Sequence, residues 1–442
     1  MRGPSGSIRL HACEGRASLS FAVTDSPHWK SKTALFLASQ VLSLLGSSLV
    51  QYALMWHVTL ATKSGLVMTL FVVCGFVPTF LMSPFGGVWA DRVERRRLIM
   101  VSDALIALAT LILAVVLSAG GDALALIMVT AAVRAVGTAV QTPAVAAFLP
   151  QLVPQNRLTR VNGLLSSIQA GIMLVSPILS GALMSIWPLY RVFLIDVVTA
   201  ALAITILAVF LKVPPHQKAS EAQGVSYFAD MKLGFVHIRD HKYLVSFFTF
   251  VGVLLLLMVP AALLTPLQVA RSFGSDVWRL TAIEVVFSVG MMAGGGVMSA
   301  WGGFGNRMHT MLAATLVMAI CTVLLGLLAS FWAYLIPMGI FGVVIPFYNT
   351  SSTVLLQEHV EEKYMGRIFG VFTMLMTSMM PLGMLAFGPL TEVVRIETLL
   401  VVTGAGMAAL ALVFLRDTRL LAAGMPTEKR QETVPAAASP PA

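Results

Sequence analysis

Charged side chains are scarce in this sequence. Asp, Glu, Lys and Arg make up 11% of its 442 residues, where soluble domains carry roughly 25%. A chain so poor in charge cannot cover a water-facing surface along most of its length, which excludes a soluble globular protein. Cysteine is nearly absent as well. Cys13, Cys74 and Cys321 lie far apart with no C-x-x-C pair, so neither a disulfide framework nor a thiolate metal centre is expected. Cys74 and Cys321 fall inside apolar runs and read as small core residues. A G-x-x-x-x-G-K-[ST] phosphate loop is missing, which argues against an ATP-driven pump, and no nucleophile elbow or metal-ligand cluster marks an enzyme. No catalytic residue, cofactor or metal is therefore expected. The first thirty residues lack the apolar core of a signal peptide.

Long apolar runs are what the sequence has instead. Hydrophobic residues make up 57% of it. Crossing the hydrocarbon core of a bilayer takes about 20 residues of helix. Runs of that order fall near 33–61, 65–90, 98–118, 123–142, 160–186 and 190–212, and again near 243–270, 279–301, 308–328, 331–353, 366–389 and 397–415. The expected fold is an all-α membrane protein of twelve transmembrane helices in two six-helix bundles, 32–212 and 243–416. A polar stretch, 213–242, reads as the linker between them. The ends, 1–31 and 417–442, read as disordered tails, the second closing on PAAASPPA.

Lys and Arg set the expected orientation. Alternate loops hold Arg92, Arg95, Arg96, Arg97, Arg157, Arg160, Lys212, Lys218, Lys232, Arg239, Lys242, Arg307, Lys363 and Arg367, while the others hold only Lys63, Arg191, Arg271, Arg279 and Arg395. The richer set faces the cytoplasm, so both termini are expected there, in the plasma (inner) membrane. The net charge of +9 then reflects topology and anionic lipid, and no nucleic-acid partner is implied. The halves also resemble each other. RVNGLLSSIQAGIMLVSPILSGAL at 160–183 aligns with RIFGVFTMLMTSMMPLGMLAFGPL, matching Arg160 to Arg367, Gly163 to Gly370 and Gly181 to Gly388 at a shift of 207 residues. GGV at 86–88 recurs at 295–297 with nearly the same shift. Two matches at one offset point to a duplicated unit in parallel repeat.

The loop behind the second run, GGVWADRVERRR at 86–97, closely resembles the loop between helices 2 and 3 of major facilitator superfamily transporters. The resemblance implies a conformational latch on the cytoplasmic face, carried here by Gly87, Asp91, Arg92 and Arg96. Gly86 and Gly87 would let the second helix approach a neighbour. Asp91 would cap the next helix or pair with an arginine across the face. Without the resemblance, the cluster need serve only the positive-inside rule. The second half keeps Gly295, Gly296 and Arg307 but no Asp-Arg pair.

Ionisable residues inside apolar spans are functional candidates. Arg134, near the middle of the fourth span with Gly137 and Gln141 after it, resembles the fourth-helix motif of proton-coupled members. It reads as a cavity-facing charge that tunes a proton site or touches substrate, or alternatively as half of a structural ion pair. Asp196 and Glu284 are each candidates for the proton-coupling acid. Asp103, a turn into the third span, reads as structural, snorkelling or paired with Arg95–Arg97. The fifth span carries Ser176, Pro177, Ser180 and Gly181, a partial match to the Gly-rich motif of drug antiporters in the superfamily. Met374, Met376, Met379, Met380 and Met384 would suit a deformable apolar site but equally a core. Gln51, Trp56 and His57 read first as interface residues and second as ligand contacts.

SLLGSSLVQYALMWHVT, VRAVGTAVQTPAVAAFLPQLVP, LTRVNGLLSSIQ and AIEVVFSVGMMAGG look like the macrolide-efflux branch of the drug:proton antiporters, over roughly 33–415. This implies a monomeric secondary transporter that exports small amphipathic organic substrates in exchange for protons by rocker-switch alternating access. Export of a self-made metabolite such as a siderophore is an alternative within transport. A non-transporting membrane sensor or assembly factor is the alternative outside it.

Overall fold

The computed structural model describes residues 29–121, 124–211, 227–417, 420–421 and 424–425. The expected tails at 1–28 and 426–442, and the expected linker at 212–226, lie outside them.

Among the described residues, twelve helical spans are long and apolar enough to cross a membrane. The first half holds α1 (Trp29–Thr62), α2 (Gly65–Arg92), α3 (Arg95–Ser118), α4 (Leu124–Leu152), α5 (Leu158–Ile186) and α6 (Leu189–Phe210). Next comes α7 (Tyr227–Asp240), a helix within the stretch expected to be only a polar linker. The second half begins with α8 (Lys242–Leu263) and the short α9 (Thr265–Ser272), which together make one span. It continues through α10 (Val277–Trp301), α11 (Arg307–Leu327), α12 (Phe331–His359), α13 (Glu362–Leu390) and α14 (Ile396–Phe414). Helices are what an apolar solvent demands, because each satisfies its own backbone polar groups. The α8/α9 break has a local cause: Pro260 lies in the last turn of α8 and Pro266 in the first turn of α9. Several spans outrun their apolar cores. α4 continues to Leu152, where Ala144, Phe148, Leu149 and Leu152 are buried in the packing of the basic end, and α12 continues to His359.

Hydropathy is turned inside out. On α3, Val101, Leu105, Leu108, Ile112 and Val115 form an exposed stripe at helical spacing, while Ser102, Asp103 and Thr110 are buried. Lipid solvates the apolar face, so polar groups gain partners only by facing one another.

The packing repeats between halves. In the first, α2 lies on α4, α3 on α4 and α6, and α1 on α5 and α6; in the second, α10 lies on α12, α11 on α12 and α14, and α8 on α13 and α14. The halves meet through α5 against α10 and α2 against α13, a pair of contacts the same repeat relates. Glycines make the close approaches: Gly86 packs onto Ala139 and Val140 of α4, and Gly290 and Gly294 pack onto α12. Gly87, expected to share this role, faces open space, as do Gly295 and Gly296. The next turn-mate occupies the contact face, so one glycine of the pair suffices.

Candidate functional site

The molecule has two ends. One, the basic end, carries the α2–α3, α4–α5, α7–α8, α10–α11 and α12–α13 loops; the far end carries the α1–α2, α3–α4, α5–α6, α9–α10, α11–α12 and α13–α14 loops. At the far end the halves are sealed together. Gly181 of α5 lies so close to Thr281 of α10 that a Cβ would collide with its hydroxyl, and Gly388 of α13 lies in the same way against Thr69 of α2. These two Gly–Thr contacts sit on the repeat-related helix pairs. The Thr69 hydroxyl also donates across the halves to the Met384 carbonyl at 3.2 Å. Ser180, next to Gly181, donates to the Leu49 carbonyl of α1 at 3.2 Å. The Ser176–Gly181 motif therefore sits in the seam where α1, α5 and α10 meet, with Ser176 buried and Pro177 inside the helix.

A polar clasp covers this seal. Glu392, in the turn after α13, accepts from the Ser64 hydroxyl at 2.9 Å and the backbone N–H of Gly65 at 2.8 Å, at the N-terminus of α2. That terminus offers free N–H groups and the positive end of the helix dipole. Arg271 of α9 donates to the carbonyls of Lys63 and Thr391, each at 2.9 Å. Lys63 holds a left-handed φ of 48°, rare for a residue with a side chain. The Ser64 hydroxyl does most to hold the Glu392 carboxyl below its ordinary range; the Leu66 and Gly65 N–H groups and Arg271 add to it, and slight burial opposes them. Ser64, Glu392 and Arg271 were not singled out in the sequence, where exposed loop residues carry no distinguishing pattern.

Inside the first half lies the densest polar network. Arg134 of α4 and Asp196 of α6 form an ion pair at 2.5 Å, the two side chains 7% and 1% exposed. Arg134 also donates to the Thr110 hydroxyl of α3 at 2.6 Å and the Ser47 carbonyl of α1 at 2.9 Å. Asp196 further accepts from Thr110 at 3.1 Å and from Ser47 at 3.3 Å. Two residues singled out separately are thus partners, and four helices converge on them. Toward the basic end from this pair, Asp103 accepts from Ser43 at 2.7 Å and from Gln141 at 2.6 Å. The expected pairing of Asp103 with Arg95–Arg97 is not found, because each arginine is engaged elsewhere. Arg95 donates to the Ala90 and Ala147 carbonyls, Arg96 to those of Leu207 and Ala208, and Arg97 pairs with Glu94 at 2.6 Å. Spacing carried a signal for this network: 103 with 110 and 134 with 141 are each seven apart, one face of a helix.

Beside the network is a cavity of about 520 Å³. Ser47, Gln51, Thr79, Thr138, Arg134 and Gln141 give its polar wall, and Leu44, Met55, Met68, Phe71 and Val72 its apolar one. Gln51 is thus a cavity residue, while Trp56 is fully buried rather than at an interface. The methionines on the wall are Met55 and Met68. On α13, Met376, Met379 and Met380 pack against the core of the second half and Met384 is wholly buried there. Glu284 of α10 does not line this cavity. It lies within electrostatic reach of Tyr52 of α1, across the boundary between the halves, and makes no ion pair or hydrogen bond among the described residues.

At the basic end, Gly87, Arg92 and Arg96 make no hydrogen bond or ion pair with the second half among the described residues. Arg96 ties α3 to the carbonyl end of α6, where a cation complements the helix dipole. Arg92 is exposed. Asp91 lies in the last turn of α2, and its side chain is outside the described residues. No group of three or more His, Cys, Asp or Glu that could hold a metal occurs among the described residues.

The sequence model of the Major Facilitator Superfamily matches residues 34–384. Macrolide efflux protein A of Streptococcus pyogenes is 27% identical over 388 residues, covering 87% of this chain and 96% of that protein. The staphyloferrin A transporter of Staphylococcus aureus is 23% identical, covering 88% and 97%. The crystal structure of a POT family transporter in complex with 5-aminolevulinic acid superposes with a TM-score of 0.68 at 13% identity, covering 87% of this chain and 95% of that one.

Proposed function

Because the chain belongs to the Major Facilitator Superfamily, a family of membrane transporters, we propose that it exports amphipathic organic compounds of the macrolide type by proton antiport. The basic end faces the cytoplasm of the cell membrane, as the Lys and Arg distribution requires, and both termini lie on that side. The conformation described is then inward-facing: the seal of Gly181, Gly388 and Glu392 closes the outer end. The rocker-switch step breaks that seal and brings the basic ends together, where Gly87, Asp91, Arg92 and Arg96 form the latch. The transporter works as a monomer, since each chain holds both halves, and needs no cofactor.

What most supports this reading is the cavity lining, where Met55, Met68 and Phe71 border the same space as Ser47, Gln51 and Gln141. Thioether and aromatic groups adapt to varied apolar shapes, while a few polar groups fix orientation. Arg134 and Asp196 neutralise each other, so this wall presents no net charge. Glu284, which faces the other half without a partner, is the acid free to exchange a proton or meet a cationic substrate. The likeness to macrolide efflux proteins over most of both chains points to the same substrate class.

Efflux from inverted vesicles with and without an imposed pH gradient tests the reading, on wild type, Asp91→Asn and Glu284→Gln. Gradient-dependent movement of a 14-membered macrolide, lost in Glu284→Gln, is the expected result. Movement that ignores the gradient would sink antiport. The likeness to the staphyloferrin A transporter favours a second reading, siderophore export, which a siderophore moving in place of the macrolide would promote.

A further inference from the structure

Asp103 is buried, 2% exposed, and the two oxygens of its carboxyl group are treated very differently. Oδ1 accepts from the Ser43 hydroxyl at 2.7 Å and the Gln141 amide at 2.6 Å. Oδ2 is buried with no hydrogen-bond partner. Among the described residues no cation answers it. The ionisable groups on the elements packed around it are Arg134 on α4 and Asp196 on α6, which are committed to each other at 2.5 Å, and Tyr190 and Arg191 in the first turn of α6, at the far end. On α1 the neighbouring residues are Ser43 and Ser47, and the ionisable residues of that helix, Lys30, Lys32, Tyr52 and His57, lie at least two turns away along it. On α2 the ionisable residues are Cys74 in mid-span and Asp91 and Arg92 at the basic end. On its own helix, Arg95, Arg96 and Arg97 are bound elsewhere.

The charge balance follows. With both acids ionised, the cluster of Arg134, Asp196 and Asp103 carries one uncompensated negative charge in the interior of the span. A single proton makes it neutral, and burying an unpaired charge is far costlier than burying a neutral acid. Asp196 is the wrong place for that proton, because protonation there would strand Arg134. We infer that Asp103, rather than Asp196, is the acid of the first half that takes up and gives back a proton, and that Gln141 relays its state to the cavity. The ionised form holds the Gln141 amide through a charge-assisted hydrogen bond. The protonated form loosens it, leaving the amide free to turn toward a ligand in the cavity wall it already lines. The inference rests on the proton-coupled reading above and adds a second titrating position to Glu284.

Infrared difference spectroscopy of the full chain in lipid nanodiscs, titrated across pH, tests this without transport. The C=O stretch of protonated carboxylic acids is followed in a Glu284→Gln background. Exposed acids such as Glu392 give titrating bands of their own, so the expected result is the loss of one band in Asp103→Asn and the retention of that band in Asp196→Asn. Gln141→Leu removes a donor to the ionised form and should move the midpoint up by about one to two pH units. A set of titrating bands unchanged by Asp103→Asn, or a midpoint of the Asp103 band unmoved by Gln141→Leu, overturns the assignment. Should Asp103→Asn fail to fold, the Gln141→Leu shift decides alone. A titrating Asp103 in a chain whose flux ignores pH gradients would reject antiport and leave the proton site standing.

Discussion

The far-end seal predicts how a single methyl group should redistribute the conformations. Gly181 and Gly388 each place their α-carbon against a threonine of the opposite half, and a Cβ at either site collides with the Thr hydroxyl. Rotating the threonine is not enough. The threonine Cβ would itself stand only 3.0 Å from a new methyl at Gly181 and 3.1 Å from one at Gly388, where the Gly65 carbonyl adds a second obstacle at 2.9 Å. Overpacking of this kind costs about 1–3 kcal/mol. It acts only while the halves are in contact at this end, so it enters as a difference between sealed and open states. A gap of that size moves the equilibrium about 5- to 150-fold. Spin labels at Ile186 and Trp332, both exposed near the far end, in a chain freed of its three cysteines, report the separation. Gly181→Ala and Gly388→Ala should each transfer population from short to long distances, and the double variant should do so more strongly. Thr281→Gly combined with Gly181→Ala should restore the short distance by removing the obstacle. An unchanged distance distribution in both single variants, or no recovery in the combined one, would refute the argument.

The Glu392 clasp adds a pH dependence to the same equilibrium. Its carboxyl is held below the ordinary range by Ser64 first of all, so it stabilises the sealed state fully above the ordinary carboxylate value of about 4.3. That contribution is lost as pH falls through the lowered value, and Glu392→Gln should remove the dependence in the same spin-label measurement. Arg134→Met leaves Asp196 buried and unpaired, a cost of about 3–5 kcal/mol, and should lower the thermal midpoint of the purified protein. Arg134→Met with Asp196→Leu should recover much of that loss, since an apolar pair of similar volume replaces a buried ion pair with little penalty. Arg96→Ala frees the carbonyl end of α6 and should raise hydrogen exchange near Leu207 and Ala208, and, by removing a residue of the proposed latch, should shift the far-end distances toward the short, sealed population.

The sequence by itself determined the class of protein, because a bilayer admits few answers to long apolar runs. Twelve spans, the six-and-six division and the parallel repeat were all legible, since span length and the Arg160/Arg367, Gly163/Gly370 and Gly181/Gly388 matches are one-dimensional signals. Arg134, Asp196 and Glu284 stood out for a similar reason: ionisable groups are conspicuous in hydrocarbon. Which of them are partners was not legible. Arg134 and Asp196 are 62 residues apart, and only the packing of α3, α4 and α6 brings them together. The partners of Asp103 were not legible because adjacency along the chain suggested Arg95–Arg97, whereas Arg95 and Arg96 reach carbonyls of other helices that only the fold supplies and Arg97 pairs with Glu94. The Gly–Thr seal and the Glu392 clasp join residues up to 328 apart, and no local pattern distinguishes them from other small or polar residues. Hydrophobic run length is set by the solvent and can be read along one strand of sequence. The pairing of polar groups depends on which helix faces meet, and only the tertiary structure decides that.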